Sequence, residues 1–385
     1  MGSGSVRSHL REECCGCGVC AAACPHQAIS MKADGMDFPY PAVDPDSCVE
    51  CGICREVCAF KPVSSGVAPE AEAVRFPQYL DESQSGGLAY ALMRQAVLRG
   101  SVVYGAAMDG NHQVRHRRVD TLEGLVPLRL SKYVQSDMTG IPEQVLSDLG
   151  EGRSVLFTGT PCQCAGMASL CAGLRDRLVL ADIVCHGVPS PAVWAGFLKW
   201  YETRQGSPVI RACFRDPARG WHHTDTRLEF ASGEVVHSRR FYHLFIHDLV
   251  NRPSCGSCPF ARTLRPSDLT MGDCWGVEKV LPGFADDQRG CSLLLVNTPA
   301  GRRFLDGLSP EGDRIPLALE SVMQPSLREA SHRPPLADRV EKVFVRRGFG
   351  AVDARFGVDS PGERFRRILH KLNPTHTKLY RRLFK

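Results

Sequence analysis

The chain has 385 residues, 43% of them hydrophobic, with a net charge of +5. This length predicts two or three hydrophobic cores. No run approaches the roughly 18 apolar residues of a membrane span, and neither a nucleic-acid-binding motif nor interleaved basic and aromatic residues occur along the body. Because the 18 cysteines come without an apolar leader, we expect a reducing, cytoplasmic compartment in which thiols bind metals rather than form disulfides.

The N-terminal segment contains the same cysteine run twice. A C-x2-C-x2-C-x3-C pattern begins at Cys14 and again at Cys48, with Gly16, Gly18 and Gly52 giving these loops backbone freedom. In two-cluster ferredoxins, three thiolates of each run hold one 4Fe-4S cluster and the fourth completes the other. We assign one cluster to Cys14, Cys17, Cys20 and Cys58, and the other to Cys48, Cys51, Cys54 and Cys24.

Two other interpretations of these cysteines are a disulfide framework and a pair of zinc knuckles. A zinc site uses its four ligands as two pairs rather than in a three-plus-one run, which favours iron and sulfur. Cys15 is left over from the pattern. Cys24 is followed by Pro25, as the ferredoxin pattern expects, but Cys58 is followed by Ala59.

The segment after the cysteine runs predicts a linker followed by alternating strands and helices. Residues 63–75 are rich in Pro, Ser, Ala and Gly. Residues 88–97 have apolar side chains at helical spacing, and Gly100 is placed to end that helix. Four apolar runs predict strands, namely SVVYGAAM, SVLFTGTP, RLVLADIVCHG and CSLLLVN. Helices follow the last two, with Ser190 and Thr298 as N-caps and a proline at the first position of each.

One segment predicts a hairpin rather than a strand followed by a helix. TRLEFASGEVVHS has strand-like runs on both sides of Ser232 and Gly233, so we expect a mixed sheet. The predicted fold class is α+β/α/β, with a dicluster ferredoxin fold at residues 1–62 followed by a mixed-sheet α/β body.

The C-terminal segment carries the basic charge. Residues 361–385 have a net charge of +7, which leaves −2 for the rest of the chain. ERFRRILHKL predicts a short amphipathic helix. Such a helix can bind a membrane surface or a partner. The simpler interpretation, which we favour, is a terminal helix packed on its own protein.

Six short motifs occur in order after the linker, namely SQSGG (83–87), SKYVQS (131–136), GTPCQ (159–163), CHGVPSP (185–191), RPSCGSC (252–258) and SDLTMGDCWG (267–276). Together they resemble the coenzyme F-420 hydrogenase/dehydrogenase beta subunit family, in which a fused dicluster ferredoxin head is common. The resemblance implies a flavoprotein body that binds FAD and one further 4Fe-4S cluster. It divides that body into an N-terminal part (76–155), a C-terminal part for FAD and the third cluster (156–335), and a basic tail (336–385).

The resemblance also implies which residues contact the FAD. Glycines opening a helix would present free amides to a phosphate, strand-end hydroxyls would approach the cofactor, and Lys132 would pair with the pyrophosphate or the flavin ring. The expected cofactor contacts are Ser85, Gly86, Gly87, Lys132, Tyr133, Ser136, Thr158, Gly159, Thr160, Gln163 and His186.

For the third cluster we select Cys162, Cys185, Cys255 and Cys258. The last two form a C-x2-C pair, for which a zinc knuckle or two buried thiols are the alternatives, and the first two follow apolar strands. Cys164 and Cys274 are rival ligands. Cys171, Cys213 and Cys291 lie in apolar sequence and are expected in the core. His222 and His223 follow Trp221 in a Gly-rich turn, where exposed histidines are common.

The predicted function is an iron-sulfur flavoprotein oxidoreductase that moves electrons between coenzyme F-420, or a similar hydride compound, and 4Fe-4S clusters through FAD. The alternative is an electron-transfer subunit that relays electrons from ferredoxin to a separate reductase. Either function requires a redox partner protein, such as a ferredoxin, a hydrogenase subunit or a reductase subunit. The motifs leave the terminal substrate and the catalytic residues open.

Overall fold

The computed structural model describes residues 6, 11–58, 60–62, 66, 68–284, 287–308 and 312–364. Its strands are β1 (Ile29–Ala33), β2 (Pro39–Val43), β3 (Glu70–Arg75), β4 (Val102–Met108), β5 (Val114–Val119), β6 (Val155–Gly159), β7 (Leu178–Ile183), β8 (Val209–Phe214), β9 (Thr226–Phe230), β10 (Val235–Ser238), β11 (Leu269–Asp273), β12 (Ser292–Val296) and β13 (Asp313–Leu317). Its α-helices are α1 (Val19–Ala22), α2 (Ile53–Glu56), α3 (Leu88–Leu98), α4 (Ile141–Gly150), α5 (Pro161–Leu170), α6 (Pro191–Gln205), α7 (Arg240–Ile246), α8 (Val277–Val280), α9 (Pro299–Leu305) and α10 (Leu336–Phe356). None of the helices in these ranges is both long and apolar enough to cross a membrane.

A mixed sheet with strand order β13-β3-β12-β11-β7-β6-β4-β5 forms the centre of the body. Strands β4, β6, β7 and β11 pair in parallel, whereas the pairs β4/β5, β11/β12, β12/β3 and β3/β13 are antiparallel. Strands β8, β9 and β10 form a separate antiparallel sheet, and β1 and β2 form a hairpin in the head. The α/β body with a mixed sheet, and the ferredoxin-like head, confirm the predicted fold class.

The alternation of side chains along the strands gives the sheet two apolar faces. Val103 and Leu156 pack with α3 and α9 in one core. Tyr104 and Phe157, their neighbours in sequence, pack with α4 and α5 in another. Because successive side chains of a strand point to opposite faces, these short strands can be apolar throughout and still be fully covered.

The local signals in the sequence are confirmed at several element ends. Ser190 Oγ accepts a hydrogen bond from Val193 N at the start of α6, and Thr298 Oγ1 accepts one from Gly301 N at the start of α9. Strands β9 and β10 form the predicted hairpin.

Two predicted boundaries differ from the structure. Strand β3 lies inside the predicted 63–75 linker and pairs with β12 and β13, with Ala71, Ala73 and Val74 buried. Helix α10 lies inside the predicted 336–385 tail, yet Val340 and Val352 are buried in a core of the body. The amphipathic helix predicted from ERFRRILHKL lies, from residue 365 onward, outside the described residues.

The ferredoxin head shares its packing with the body. Met36 and Phe38 of the β1–β2 turn are buried in one core with Trp194 of α6. Ser190 Oγ donates to Met36 O at 2.5 Å, and Ser257 Oγ donates to Glu12 O at 3.2 Å. The head is therefore docked through buried contacts, and its position relative to the body's cysteines is fixed by them.

Candidate functional site

One cavity of the head contains four of the predicted ligands. Its lining includes Cys24, Cys48, Cys51 and Cys54. We call these four residues the distal cysteine set. Cys51 is exposed, and Val49 beside it is 60% exposed. This set therefore lies next to solvent.

A second cavity contains the other predicted ligands of the head. Its lining includes Cys14, Cys17, Cys20 and Cys58, which we call the proximal cysteine set. Burial, reinforced by the charges of Cys14 and Cys58, raises the pKa of Cys20 to about 12. Thiolates gathered around one cavity repel one another and are unfavourable without a cation, which is consistent with a metal-binding role.

The two cysteine runs have matching backbones. Gly18 and Gly52 both have φ of 79° and both immediately precede a short helix, α1 and α2 respectively. Gly16 has φ of 70°, and Glu50, at the equivalent position of the second run, has φ of 55°. The left-handed conformation of these positions turns the chain around each cavity.

The third cysteine set, which comprises Cys162, Cys185, Cys255 and Cys258, forms at the carboxyl edge of the central sheet. Cys162 lies just after β6 and Cys185 just after β7. These strands are parallel neighbours, so both cysteines emerge at the same edge. The turn after Cys185 packs on the segment that carries Cys255, since a Cβ placed on Gly187 would lie 3.4 Å from Cys255 Cβ. The structure therefore brings these separate segments of the chain together.

The four thiols of the third set interact electrostatically. Burial raises the pKa of Cys185 well above its usual value, and the charges of Cys255, Cys162 and Cys258 raise it further. Burial likewise raises the pKa of Cys255 to about 12 and that of Cys258 to about 11, and Cys162 contributes to both increases. All four thiols thus lie within electrostatic range of one another.

Across the described residues, no group of three or more His, Cys, Asp or Glu converges closely enough to hold one metal ion. The cysteine sets are looser, since each head set lines one cavity and the thiols of the third set interact electrostatically. A 4Fe-4S cluster needs only that looser arrangement, because its thiolates bind four different irons at the corners of a cubane. For the two head sets, the cavity that each set lines therefore shows better than a single-ion site whether a cluster fits.

The proximal and third sets adjoin each other. Cys162 lines the same cavity as the proximal set. A hydrogen bond with the Cys15 thiol, together with burial, raises the pKa of Cys162 well above its usual value. Cys15, which the pattern left without a role, thus lies between the two sets.

The rival ligands lie in apolar cores. Cys164 is fully buried with Phe157 and Met167. Cys274 is fully buried in another core, where its amide donates to Cys291 O at 2.8 Å. A hydrogen bond with the Cys291 thiol also raises the pKa of Cys274. These contacts favour Cys162, Cys185, Cys255 and Cys258 over either rival.

Several predicted cofactor residues form a hydrogen-bond network next to Cys162. Thr160 Oγ1 donates to Gln163 Oε1 at 3.0 Å and lies 3.2 Å from Cys162 Sγ. Gln163 Nε2 donates to Ser136 Oγ at 3.0 Å, and that hydroxyl lies 2.8 Å from His116 Nδ1. The network fixes the start of α5, so these residues have a structural role whether or not they also contact a cofactor.

The predicted glycine loop has close contacts with the sheet. A Cβ on Gly86 would lie 2.4 Å from Ser292 N, and Ser85 Oγ donates to Cys291 O at 2.9 Å. Gly87 precedes α3 in the left-handed conformation. Packing alone explains these residues, and their cofactor role stays a prediction.

Thr158 and Gly159 end β6. Thr158 Oγ1 donates to Tyr104 O at 3.0 Å across the sheet. A Cβ on Gly159 would meet the Phe157 ring at 2.9 Å and Gln163 Oε1 at 3.0 Å. Their cofactor role also stays a prediction.

Tyr133 and His186 belong to an aromatic cluster beside the third set. The Tyr133 ring stacks on Phe245 with centroids 5.0 Å apart, and His186 meets Phe245 edge-on at 5.2 Å. His186 Nε2 also lies 3.2 Å from Asp248 Oδ1. The cluster thus runs from the neighbour of Cys185 to Tyr133.

Lys132 is half-buried beside this cluster. Its Nζ donates to Arg129 O at 2.5 Å. Burial lowers the pKa of Lys132 to about 7. A lysine of this kind can bind an anion in its charged form and can exchange a proton near neutral pH.

A second ring pair lies at the C-terminal end of β11. Trp275, 39% exposed, stacks on buried Trp221 with centroids 4.6 Å apart. The Arg215 guanidinium lies 5.4 Å from the Trp275 ring and 2.7 Å from Asp273. His222 and His223 are exposed in the adjoining turn, and His222 lies beside both tryptophans.

Sequence reasoning missed Arg252, Gln135, His116 and Arg215. Each is buried at or beside the site. Arg252 is the first residue of the motif RPSCGSC, whose cysteines gave the only sequence signal there. Its burial could not be inferred from the local pattern.

Two segments of the chain match families of known proteins. Residues 13–61 match the 4Fe-4S dicluster domain. Residues 152–314 match the C terminus of the coenzyme F-420 hydrogenase/dehydrogenase beta subunit. No curated protein matches the chain. A chain in a xenon-derivatised structure of the F-420-reducing [NiFe] hydrogenase complex from Methanosarcina barkeri is similar, with a TM-score of 0.44 and 18% identity over 76% of this chain and 91% of that one.

Proposed function

We propose that this chain, which joins a 4Fe-4S dicluster domain to a C-terminal domain of the coenzyme F-420 hydrogenase/dehydrogenase beta subunit family, transfers electrons between a hydride compound and an external redox protein. The observation that carries the proposal is the pair of head cavities, each lined by a complete set of four cysteines. Four thiols that line one cavity are the donor set that a 4Fe-4S cluster requires.

The three cysteine sets define an order for the centres. The distal set adjoins solvent at Cys51, the proximal set shares its cavity with Cys162, and Cys162 belongs to the third set. When bound, 4Fe-4S clusters supply one-electron transfer. The contacts among the cysteines therefore support a path from the exposed face of the head to the carboxyl edge of the sheet.

We further propose that FAD binds at this carboxyl edge, as the resemblance implies. FAD exchanges a hydride with a nicotinamide or deazaflavin compound. Lys132 offers a cation, and Tyr133 and His186 offer ring faces next to the third set. Coenzyme F-420 or a similar compound is the proposed hydride substrate.

An electron-transfer subunit that serves a separate reductase is the second candidate. The exposed distal set favours it, because Val49 and Cys51 present a surface on which a partner protein could approach the nearest centre. In this case the chain alone would not turn over a hydride substrate.

Anaerobic purification followed by metal and flavin analysis tests the proposal. We expect about twelve irons per chain, four for each of three clusters, together with one FAD. Stoichiometric zinc without iron would contradict the proposal. Eight irons would leave only the head clusters, and iron without FAD would favour the relay subunit.

Separate mixing with reduced coenzyme F-420, NADH and reduced ferredoxin identifies the donor. Bleaching of the visible absorbance by a hydride compound, and turnover with an artificial acceptor, would indicate an enzyme. Turnover that begins only when a partner protein is added would indicate the relay subunit.

A further inference from the structure

Arg252 is a buried cation with an unusual set of partners. Its side chain is the largest fully buried one, with 1% of the residue exposed. Among the described residues, no carboxylate lies within ion-pair distance of its guanidinium, although other buried arginines, such as Arg265 beside Asp182, have one. Burying an uncompensated charge is unfavourable, so some other negative charge should balance it.

The contacts of Arg252 point to the proximal set. Nε donates to Cys14 O at 2.7 Å, and Nη2 lies 3.7 Å from Cys14 Sγ, within hydrogen-bonding range for sulfur. Nη2 also donates to Pro39 O at 2.8 Å, and Nη1 donates to Gln135 Oε1 at 3.0 Å. The guanidinium lies 4.2 Å from the centroid of the Tyr40 ring. Apart from the cysteine sulfur, every one of these acceptors is formally neutral.

Arg252 also adjoins the third set along the chain. It immediately precedes the 3-10 turn Pro253–Ser257, which carries Cys255. The Cys255 amide donates to Arg252 O at 3.0 Å. The backbone of Arg252 is thus bonded to the segment of the third set, while its side chain is bonded to Cys14 of the proximal set.

We propose that Arg252 is the counter-charge of the proximal centre, and that it raises the reduction potential of that centre relative to the distal centre. This inference rests on the proposed function, because it requires bound clusters. Reduction adds one electron, and hence one negative charge, to a cluster that thiolates already make anionic, and a fixed cation stabilises that reduced form. Arg252 acts here as a positioning and tuning residue that makes no bond to iron.

Gln135→Glu is the sharpest test because it changes charge with little change in shape. The new carboxylate would replace the acceptor of Arg252 Nη1 and neutralise the cation in place. Gln135→Met is the matched control. It removes both side-chain hydrogen bonds of Gln135, the one from Arg252 Nη1 and the one from Nε2 to Cys15 O at 3.2 Å, but keeps the net positive charge. Arg252→Gln removes the cation directly.

The measurement is an anaerobic redox titration with dithionite, followed by electron paramagnetic resonance, with the distal signal assigned through Cys51→Ser. We expect Gln135→Glu and Arg252→Gln to make the proximal midpoint more negative by at least a tenfold change in the reduction equilibrium, about 59 mV for one electron. The distal midpoint should change less, and Gln135→Met should resemble the wild type.

An unchanged proximal midpoint in iron-loaded Gln135→Glu would overturn the inference, as would an equal shift in Gln135→Met. Loss of cluster loading in Gln135→Glu and Arg252→Gln, with full loading in Gln135→Met, would support the need for the cation. Loss of loading in all three variants would show a purely structural role and overturn it. Absence of iron from the wild type would instead reject the proposed function.

Discussion

At the scale of single residues, the site depends on positions where only one side chain fits. Gly16 lies between the proximal set and the buried polar pair Arg252 and Gln135. A Cβ placed on it would lie 2.8 Å from Arg252 Nη1 and from Pro39 O, and 2.9 Å from Gln135 Nε2. Gly52 has a similar left-handed φ, but a Cβ there would meet nothing within 4 Å.

These two glycines give a matched prediction. Gly52→Ala should lower the free energy of unfolding by about 1–2 kcal/mol, the cost of the left-handed conformation for a residue with a Cβ. Gly16→Ala should lose a further 1–3 kcal/mol, roughly, from overpacking, and should lose proximal iron first. Denaturant unfolding and iron analysis check this. Equal losses in the two variants would contradict the packing role of Gly16.

At the scale of elements, one buried carboxylate joins three parts of the body. Glu72 of β3 accepts hydrogen bonds from Arg314 of β13 at 2.7 and 2.9 Å and from Arg302 of α9 at 3.0 Å. Burial alone would raise the pKa of Glu72, but the bonds from Arg314 and Arg302 outweigh it and lower that pKa. The carboxylate thus holds the edge strand β13 and helix α9 on the sheet.

Glu72→Gln should destabilise the protein by about 1–3 kcal/mol, the range for a buried charge-assisted hydrogen bond that loses its ion. Glu70→Gln on the same strand is the control, since its side chain is 73% exposed and such pairs contribute about 0–1 kcal/mol. Because the folded pKa of Glu72 is lowered, its stabilisation is present above the unfolded pKa and is lost as pH falls below it.

The difference in unfolding free energy between wild type and Glu72→Gln should therefore shrink as pH falls below roughly 4.3, the unperturbed pKa of Glu. Denaturant titrations of both proteins at neutral and acidic pH measure it. A difference that stays constant or grows toward acidic pH would contradict the role assigned to Glu72.

The elements also show which parts of the fold were predictable. The caps at Ser190 and Thr298 and the β9–β10 hairpin depend on neighbouring residues, so local sequence predicted them. Strand β3 did not look like a strand, because EAEAVR is rich in Ala and Glu, which are depleted in strands. Its partners β12 and β13 lie more than two hundred residues later, and they, rather than propensity, determine its conformation.

In the site, as in the fold, the features that depend on neighbouring residues were predictable and those that depend on distant segments were not. Cysteine spacing predicted how the eight head cysteines group around two cavities, because the repeated run is local. Cys162 and Cys185 converge because β6 and β7 are parallel neighbours. The strand pattern in the sequence did not predict the order of the strands in the sheet. Arg252 became visible only once its burial and its contact with Cys14 were known, since both depend on segments far apart in the chain.

At the scale of the whole molecule, head and body form one packed structure. Phe38 of the head is buried with body residues in a shared core. Arg11 connects the head to α10 through Glu341 at 2.9 Å. A shared core should make the two parts unfold together.

Phe38→Ala should reduce stability by about 3–5 kcal/mol, the range for deleting a buried phenylalanine. Visible absorbance of the clusters and far-ultraviolet circular dichroism should be lost in one coincident transition. Val49→Ala, also in the head but at a site that is 60% exposed, should match the wild type. Separate transitions for absorbance and dichroism would mean that head and body are independent.

Iron and acid-labile sulfide per chain, measured anaerobically in the wild type, Cys258→Ala and Cys213→Ala, test the central claim most directly. Three centres predict about twelve irons in the wild type and in Cys213→Ala, where a cysteine outside the three sets is removed, and about eight in Cys258→Ala. Eight irons in all three proteins would contradict a cluster at Cys162, Cys185, Cys255 and Cys258.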